Sequence, residues 1–117
     1  MQLWYVNVFV SDLERALAFY RDQVGLEVVT EDADFGYAAF DTSGARFAVA
    51  RTDDTALVGR HTGVGWGVED VNEAHRALSE RGVIFESAPA QQPWGGYMAM
   101  FRDPDGNLFY LDELGAR

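Results

Sequence analysis

Few side chains in this 117-residue chain could perform chemistry, and their types narrow the options. There is no cysteine, which removes a thiolate nucleophile, a thiolate metal site and a disulfide framework. The two histidines, His61 and His75, sit in a polar connector and on the polar side of a helix. Neither is expected in a site, so no Ser–His pair can be assembled there. Nor can the three or four converging ligands that a metal ion needs. Gly63, Gly65 and Gly67 alternate along a strand with no lysine after them, unlike a phosphate-binding loop. One carboxylate base is open to consideration: Asp112, near Tyr110, with Asp41 or Arg46 close by, although a solvated strand end is the plainer reading of Asp112. The sequence offers more for binding. Tyr5, Phe9 and Tyr110 supply flat contact area, and Asn7 gives and accepts hydrogen bonds. Trp94, next to Gly95 and Gly96, either lids a cleft or anchors its loop. Met98 and Met100 add adaptable lining if their strand face is the open one.

The length suits one compact domain over residues 1–117. Hydrophobic residues make up 48% and aromatics 14%, a globular composition. The formal charge is -10, from 19 acids against 9 bases, which repels phosphate backbones and argues against a nucleic-acid partner. The same field favours cationic ligands. No apolar run approaches the ~20 residues of a membrane span. A strand-like pattern starts at Met1-Gln2-Leu3-Trp4 with no signal peptide before it. Together with the lack of cysteine, this predicts a cytoplasmic protein.

An internal repeat must position these residues. Val10-Ser11-Asp12-Leu13-Glu14-Arg15-Ala16 parallels Val68-Glu69-Asp70-Val71-Asn72-Glu73-Ala74. Gly25-Leu26 parallels Gly82-Val83, and Gly36-Tyr37-Ala38-Ala39-Phe40 parallels Gly96-Tyr97-Met98-Ala99-Met100. After a two-residue insertion, Gly44 to Val49 parallels Gly106 to Leu111. Residues 1–58 and 61–114 therefore form two copies of one unit.

Each copy predicts a strand (3–10, 63–68) and then a helix capped by Ser11 or Asp12 in the first and by Asp70 in the second. Leu13, Ala16, Leu17 and Tyr20, then Val71, Ala74, Ala77 and Leu78, recur at helical spacing. Three strands complete each copy: 26–31, 36–41 and 45–51, then 83–87, 97–102 and 107–112. Asp41 to Gly44 and Asp103 to Gly106 are hairpin turns. The expected class is α+β: two tandem βαβββ repeats forming a curved eight-stranded cup, with helices outside and a cleft inside.

Strand alternation assigns the faces. Val6, Val8 and Val10 pack on the first helix, leaving Tyr5, Asn7 and Phe9 for the cleft. Val64, Trp66 and Val68 are core, and Gly63, Gly65 and Gly67 leave the cleft wide. Phe47, Val49, Phe109 and Leu111 are core. Arg46, Ala48 and Ala50 face inward, as do Leu108, Tyr110 and Asp112.

With these elements in place the chain resembles the vicinal-oxygen-chelate superfamily, which includes glyoxalase I, extradiol dioxygenases, fosfomycin-resistance enzymes and bleomycin-resistance proteins. The resemblance covers nearly the whole chain. It rests on Val10 to Ala16 with Phe19-Tyr20 and Gly25-Leu26, on Pro93-Trp94-Gly95-Gly96, and on Phe101 to Asn107. Metal-dependent members hold a divalent ion with His or Glu from four strands, and the matching positions here are Tyr5, Ala48, Gly63 and Tyr110. None carries an imidazole or carboxylate. The resemblance therefore implies the metal-free branch, without a cofactor and related to proteins that bind and sequester a drug. It also implies a homodimer.

The expected ligand is planar or aromatic, and cationic if it follows the charge. The expected contacts are Tyr5, Asn7, Phe9, Ala48, Gly63, Trp94, Tyr110 and Asp112. Two competitors stand beside this reading. One is a lyase, isomerase or glyoxalase relative working through Asp112, Tyr110 or Tyr5 or through relocated ligands. The other is an interaction module whose cleft serves a partner protein.

Overall fold

A computed structural model describes residues 1–115. The chain divides into two compact units, Met1–Gly59 and Arg60–Arg117. Each carries a four-stranded mixed sheet and one main helix in βαβββ order, which is the α+β arrangement expected from the repeat.

In the first unit, β1 (Tyr5–Val10) leads to α1 (Leu13–Leu17), then β2 (Val28–Asp32), β3 (Tyr37–Phe40) and β4 (Arg46–Arg51). The sheet order is β1-β4-β3-β2, with β1 parallel to β4 and the other pairs antiparallel. Asp12, rather than Ser11, caps α1: its carboxylate accepts from the Arg15 backbone N–H at 3.0 Å, and the Ser11 hydroxyl instead accepts from the Arg15 guanidinium.

The helix does not run on as a plain α-helix. From Ala18 to Gln23 it becomes a π-helix, closed where Val24 N–H donates to Phe19 C=O at 2.8 Å. The wider turn lets the neighbours Phe19 and Tyr20 both be buried, their rings edge to face at 4.9 Å. Tyr20 then packs on Phe40 and Phe47. Gly25, at φ +91°, ends the segment where an L side chain would be strained.

In the second unit, β5 (His61–Val68) leads to α2 (Val71–Glu80), β6 (Ile84–Gln91), β7 (Tyr97–Arg102) and β8 (Leu108–Glu113). The order is β5-β8-β7-β6, again with one parallel pair, β5 with β8. Asp70 caps α2 through the Glu73 N–H at 3.0 Å. The core stacks Phe101 on Phe109 at 5.4 Å, with Phe85 and Trp66 beside them. The Asp103–Asn107 turn is held from within: the buried Asp103 carboxylate accepts from the Asn107 backbone and side-chain amides, both at 2.8 Å.

Three expectations need correction. The polar connector expected over residues 52–62 ends earlier: it holds a 3₁₀ turn at Thr55–Leu57, capped by Asp54, and His61 already belongs to β5. Strand β6 runs four residues past its expected end, through Pro89 to Gln91. That is permitted because β6 is an edge strand, where a missing N–H costs no ladder bond on the open side. His75 is half-buried with its ring edge against Phe85 at 4.4 Å, rather than on a solvated helix face.

Candidate functional site

Register fixes which side chains share a face. In the first unit, Val6 aligns with Phe47 and Phe40, and Val8 with Val49 and Ala38, on the helix side. The opposite face carries Tyr5 with Arg46, Asn7 with Ala48 and Ala39, and Phe9 with Ala50 and Tyr37. Tyr5 and Asn7 are exposed and Phe9 is half-buried. Ala48 is fully buried, so its methyl group offers a ligand no surface.

The second unit repeats the division. Phe109 with Phe101, and Leu111 with Ala99 and Trp66, form the helix side. Tyr97 points the same way, its hydroxyl donating to Asn72 of α2 at 2.7 Å. The other face carries Tyr110 with Gly65 and Met100, and Asp112 with Gly67 and Met98. This settles the strand that sequence alone left open: Met98 and Met100 line the site face, and Tyr97 and Ala99 do not.

On that face lies a pocket of about 300 Å³ lined by Trp94, Met98, Tyr110 and Asp112. Trp94 reaches it from the β6–β7 hairpin. Gln92 N–H closes the hairpin onto Gly96 C=O at 2.7 Å, and Gly95 N–H bonds back to Gln92 at 3.0 Å. The indole lies across Gly96, where a Cβ would sit 2.8 Å from its Nε1. Gly96 thus leaves room for the ring to lie flat over the hairpin while remaining 59% exposed.

The glycines of β5 do not leave uniform open space. Over Gly65 sits the Asp112 carboxylate, its Oδ2 3.2 Å from where a Cβ would be. Over Gly67 the Leu114 side chain fills the gap. Only at Gly63, of these three, does a Cβ meet nothing, and there φ is +71°.

The Asp112 carboxylate is half-buried and makes no hydrogen bond or ion pair among the described residues. Its neighbour Tyr110 meets the edge of His61 at 5.0 Å. His61 was discounted as a connector residue; its Nδ1 accepts from the Gly63 N–H at 3.1 Å, which holds the ring beside Tyr110. The signal that could have found it is the alternation itself, extended two residues upstream through Thr62. Arg102 also lies on β7, but it is engaged by Glu86 at 2.8 Å and by the Gly106 carbonyl. That hydrogen bond, and then the charge behind it, holds the Glu86 carboxyl below the usual carboxylate range.

The donor set does not fit a divalent metal. Of the four positions that the resemblance matches to metal ligands, Tyr5, Ala48, Gly63 and Tyr110, the alanine and the glycine bring no side-chain donor. Among the described residues no three His, Cys, Asp or Glu side chains come together as a metal-holding group. What the pocket can do is hold a flat molecule between an indole and a phenol, against a thioether, with a carboxylate to meet a positive or hydrogen-bond-donating group.

Residues 2–111 match the model of the Glyoxalase/Bleomycin resistance protein/Dioxygenase superfamily. A member of that superfamily from Sphaerobacter thermophilus DSM 20745 is 31% identical, with a TM-score of 0.84 and 97% of each chain covered. An antibiotic-binding protein from Streptomyces sp. CB03234 is 32% identical, with a TM-score of 0.78, covering 97% of this chain and 95% of that one. A lactoylglutathione lyase from Agrobacterium tumefaciens has a TM-score of 0.80 at 22% identity, covering 95% and 92%. At that identity the likeness is one of fold.

Proposed function

We propose, from the premise that this chain belongs to the Glyoxalase/Bleomycin resistance protein/Dioxygenase superfamily, that it binds and sequesters a planar aromatic cation without transforming it. The observation that carries this reading is the Asp112 carboxylate, which makes no hydrogen bond or ion pair among the described residues. It is half-buried, seated over bare Gly65, and bordered by Trp94, Met98 and Tyr110. A carboxylate at the edge of an apolar pocket is an acceptor open to a charge-assisted contact. A ligand cation supplies that contact, and the indole and phenol faces add cation–π attraction. A volume of about 300 Å³ is at the small end of ligand pockets, which suits a flat ring system rather than a bulky one. The antibiotic-binding relative at 32% identity supports a binding role for this fold. The absence of a ligand set at Tyr5, Ala48, Gly63 and Tyr110 supports placing the chain with the metal-free members.

The test is a fluorescence titration with proflavine, a planar aromatic cation, in the presence and absence of EDTA. Saturable quenching, unchanged by the chelator, is expected. Asp112→Asn should weaken it about tenfold or more, a difference of about 1.4 kcal/mol, and Trp94→Ala should weaken it as well. No saturable quenching by proflavine or by a panel of glycopeptide drugs and aromatic metabolites would overturn the proposal. Recovery of a chemically altered ligand, or turnover of a glutathione hemithioacetal, would replace it with the lyase or isomerase reading.

A further inference from the structure

A second cavity, in the first unit, has chemistry opposite to that of the Asp112 pocket. It measures about 460 Å³ and is lined by Gln2, Leu3, Trp4, Gly44, Ala45 and Arg46. Two elements build it. The segment before β1 is tied to the start of β4 where Arg46 N–H donates to Trp4 C=O at 2.9 Å. The β3–β4 turn is closed by the Thr42 hydroxyl bonding to the Ala45 carbonyl. At Gly44 a Cβ would meet nothing within 4 Å, so the rim there is open.

Two features of this cavity suit a ligand. Trp4 is 75% exposed, which leaves its ring face available for contact. The Arg46 side chain is exposed and makes no hydrogen bond or ion pair among the described residues, so its guanidinium is available to a ligand. Arg21, Arg51, Arg76 and Arg102 each hold a nearby carboxylate. In a chain with 19 acids for 9 bases, carboxylate partners are abundant. An arginine without one, beside an exposed indole and the Gln2 amide, is a set of groups that recognises an anion on a flat ring. The guanidinium forks onto two oxyanion oxygens, the indole covers the ring, and Gln2 can donate a further hydrogen bond.

We propose that this cavity is a binding site for a small aromatic oxyanion, held by Arg46 against Trp4. The site is independent of the reading given to the Asp112 pocket, and the two call for ligands of opposite charge.

The experiment is a titration of the full ¹⁵N-labelled chain with naphthoate, followed by amide shifts. Naphthyl phosphate and naphthalenemethanol serve as a second anion and a neutral control. Naphthoate should shift the amides of Gln2, Gly44, Ala45 and Arg46 saturably, and the neutral alcohol should not. Arg46→Gln should weaken naphthoate about tenfold or more, as loss of a charge-assisted bidentate contact does, and Arg46→Lys should restore part of the affinity. Tighter binding of naphthyl phosphate than naphthoate would assign the site to phosphate esters within the same class. The proposal is overturned if these amides do not saturate with either anion. It is equally overturned if the shifts survive Arg46→Gln, or if the anions move only amides around Trp94 and Tyr110.

Discussion

At position 65 a single missing carbon decides where a charge can sit. A Cβ there would approach Asp112 Oδ2 to 3.2 Å and Tyr110 Cβ to 3.7 Å. Those distances are tight enough to move a carboxylate and too loose to unfold a strand. Gly65→Ala should therefore leave the thermal midpoint nearly unchanged while weakening proflavine several-fold, because the displaced carboxylate no longer meets the cation at its best distance. The companion change Gly67→Ala meets the Leu114 Cδ2 at 2.6 Å, the free end of a flexible side chain that can swing aside. It should leave affinity alone. Parallel titrations of the two variants check this, and equal losses from both would mean that the strand, not the carboxylate, was disturbed.

Single residues were also the hardest thing to place from sequence. Alternation and a Trp-Gly-Gly loop are local signals, and the residues they pointed to, Tyr110, Asp112 and Trp94, line one pocket. The burial of Ala48 was not legible, since alternation gives a residue's face and says nothing about what covers it. His61 was missed for a related reason. Alternation runs on to His61 through Thr62, but Gly63 between them and the rest of β5 carries no side chain to mark the period, and the β5–β8 pairing shifts between His61 and Gly65.

The elements follow more directly from the sequence, because each is announced by a cap, a period or a turn. The repeat was visible in four matched segments, and both units fold in the same strand order. Asp70 illustrates how local the signal is: an acceptor immediately before an apolar period of three to four residues, with Glu73 in the first turn. Removing it should be felt by the helix and little else. Asp70→Ala should cost about 1 kcal/mol, read as a lower urea midpoint with an unchanged slope. Proflavine affinity should be unaffected, because α2 packs on the far side of the sheet from Trp94 and Asp112.

Elements escaped the sequence where tertiary packing, not propensity, sets the geometry. A helical period picks out Leu13, Ala16, Leu17 and Tyr20, all of which are buried. It cannot show that burying Phe19 and Tyr20 side by side widens the helix to π spacing. The length of β6 is a similar case. Pro89 argues against a strand interior, yet the edge position of β6 removes the objection, and edge position is knowable only once the sheet order is.

At the scale of the whole molecule the governing quantity is charge. Nineteen acids against nine bases, every base an arginine, leave a negative field at neutral pH. A planar cation approaching the Asp112 pocket feels two attractions: the one carboxylate it finally meets, and the summed field of the surface. Salt separates them. Raising the ionic strength from 0.01 to 0.15 M shortens the screening length from about 30 Å to about 8 Å, which removes most of the distant field and little of a contact inside a half-buried pocket. Proflavine affinity should therefore fall several-fold over that range, chiefly through slower association. Asp112→Asn should lower affinity at every salt concentration by a nearly constant factor and leave the slope in place, because the other eighteen acids remain. Stopped-flow titrations of both proteins across the series check this. An affinity flat in salt would show that the aromatic and thioether contacts hold the ligand with no help from the surface. A slope that vanishes in the variant would show that Asp112 alone supplies the field the ligand senses.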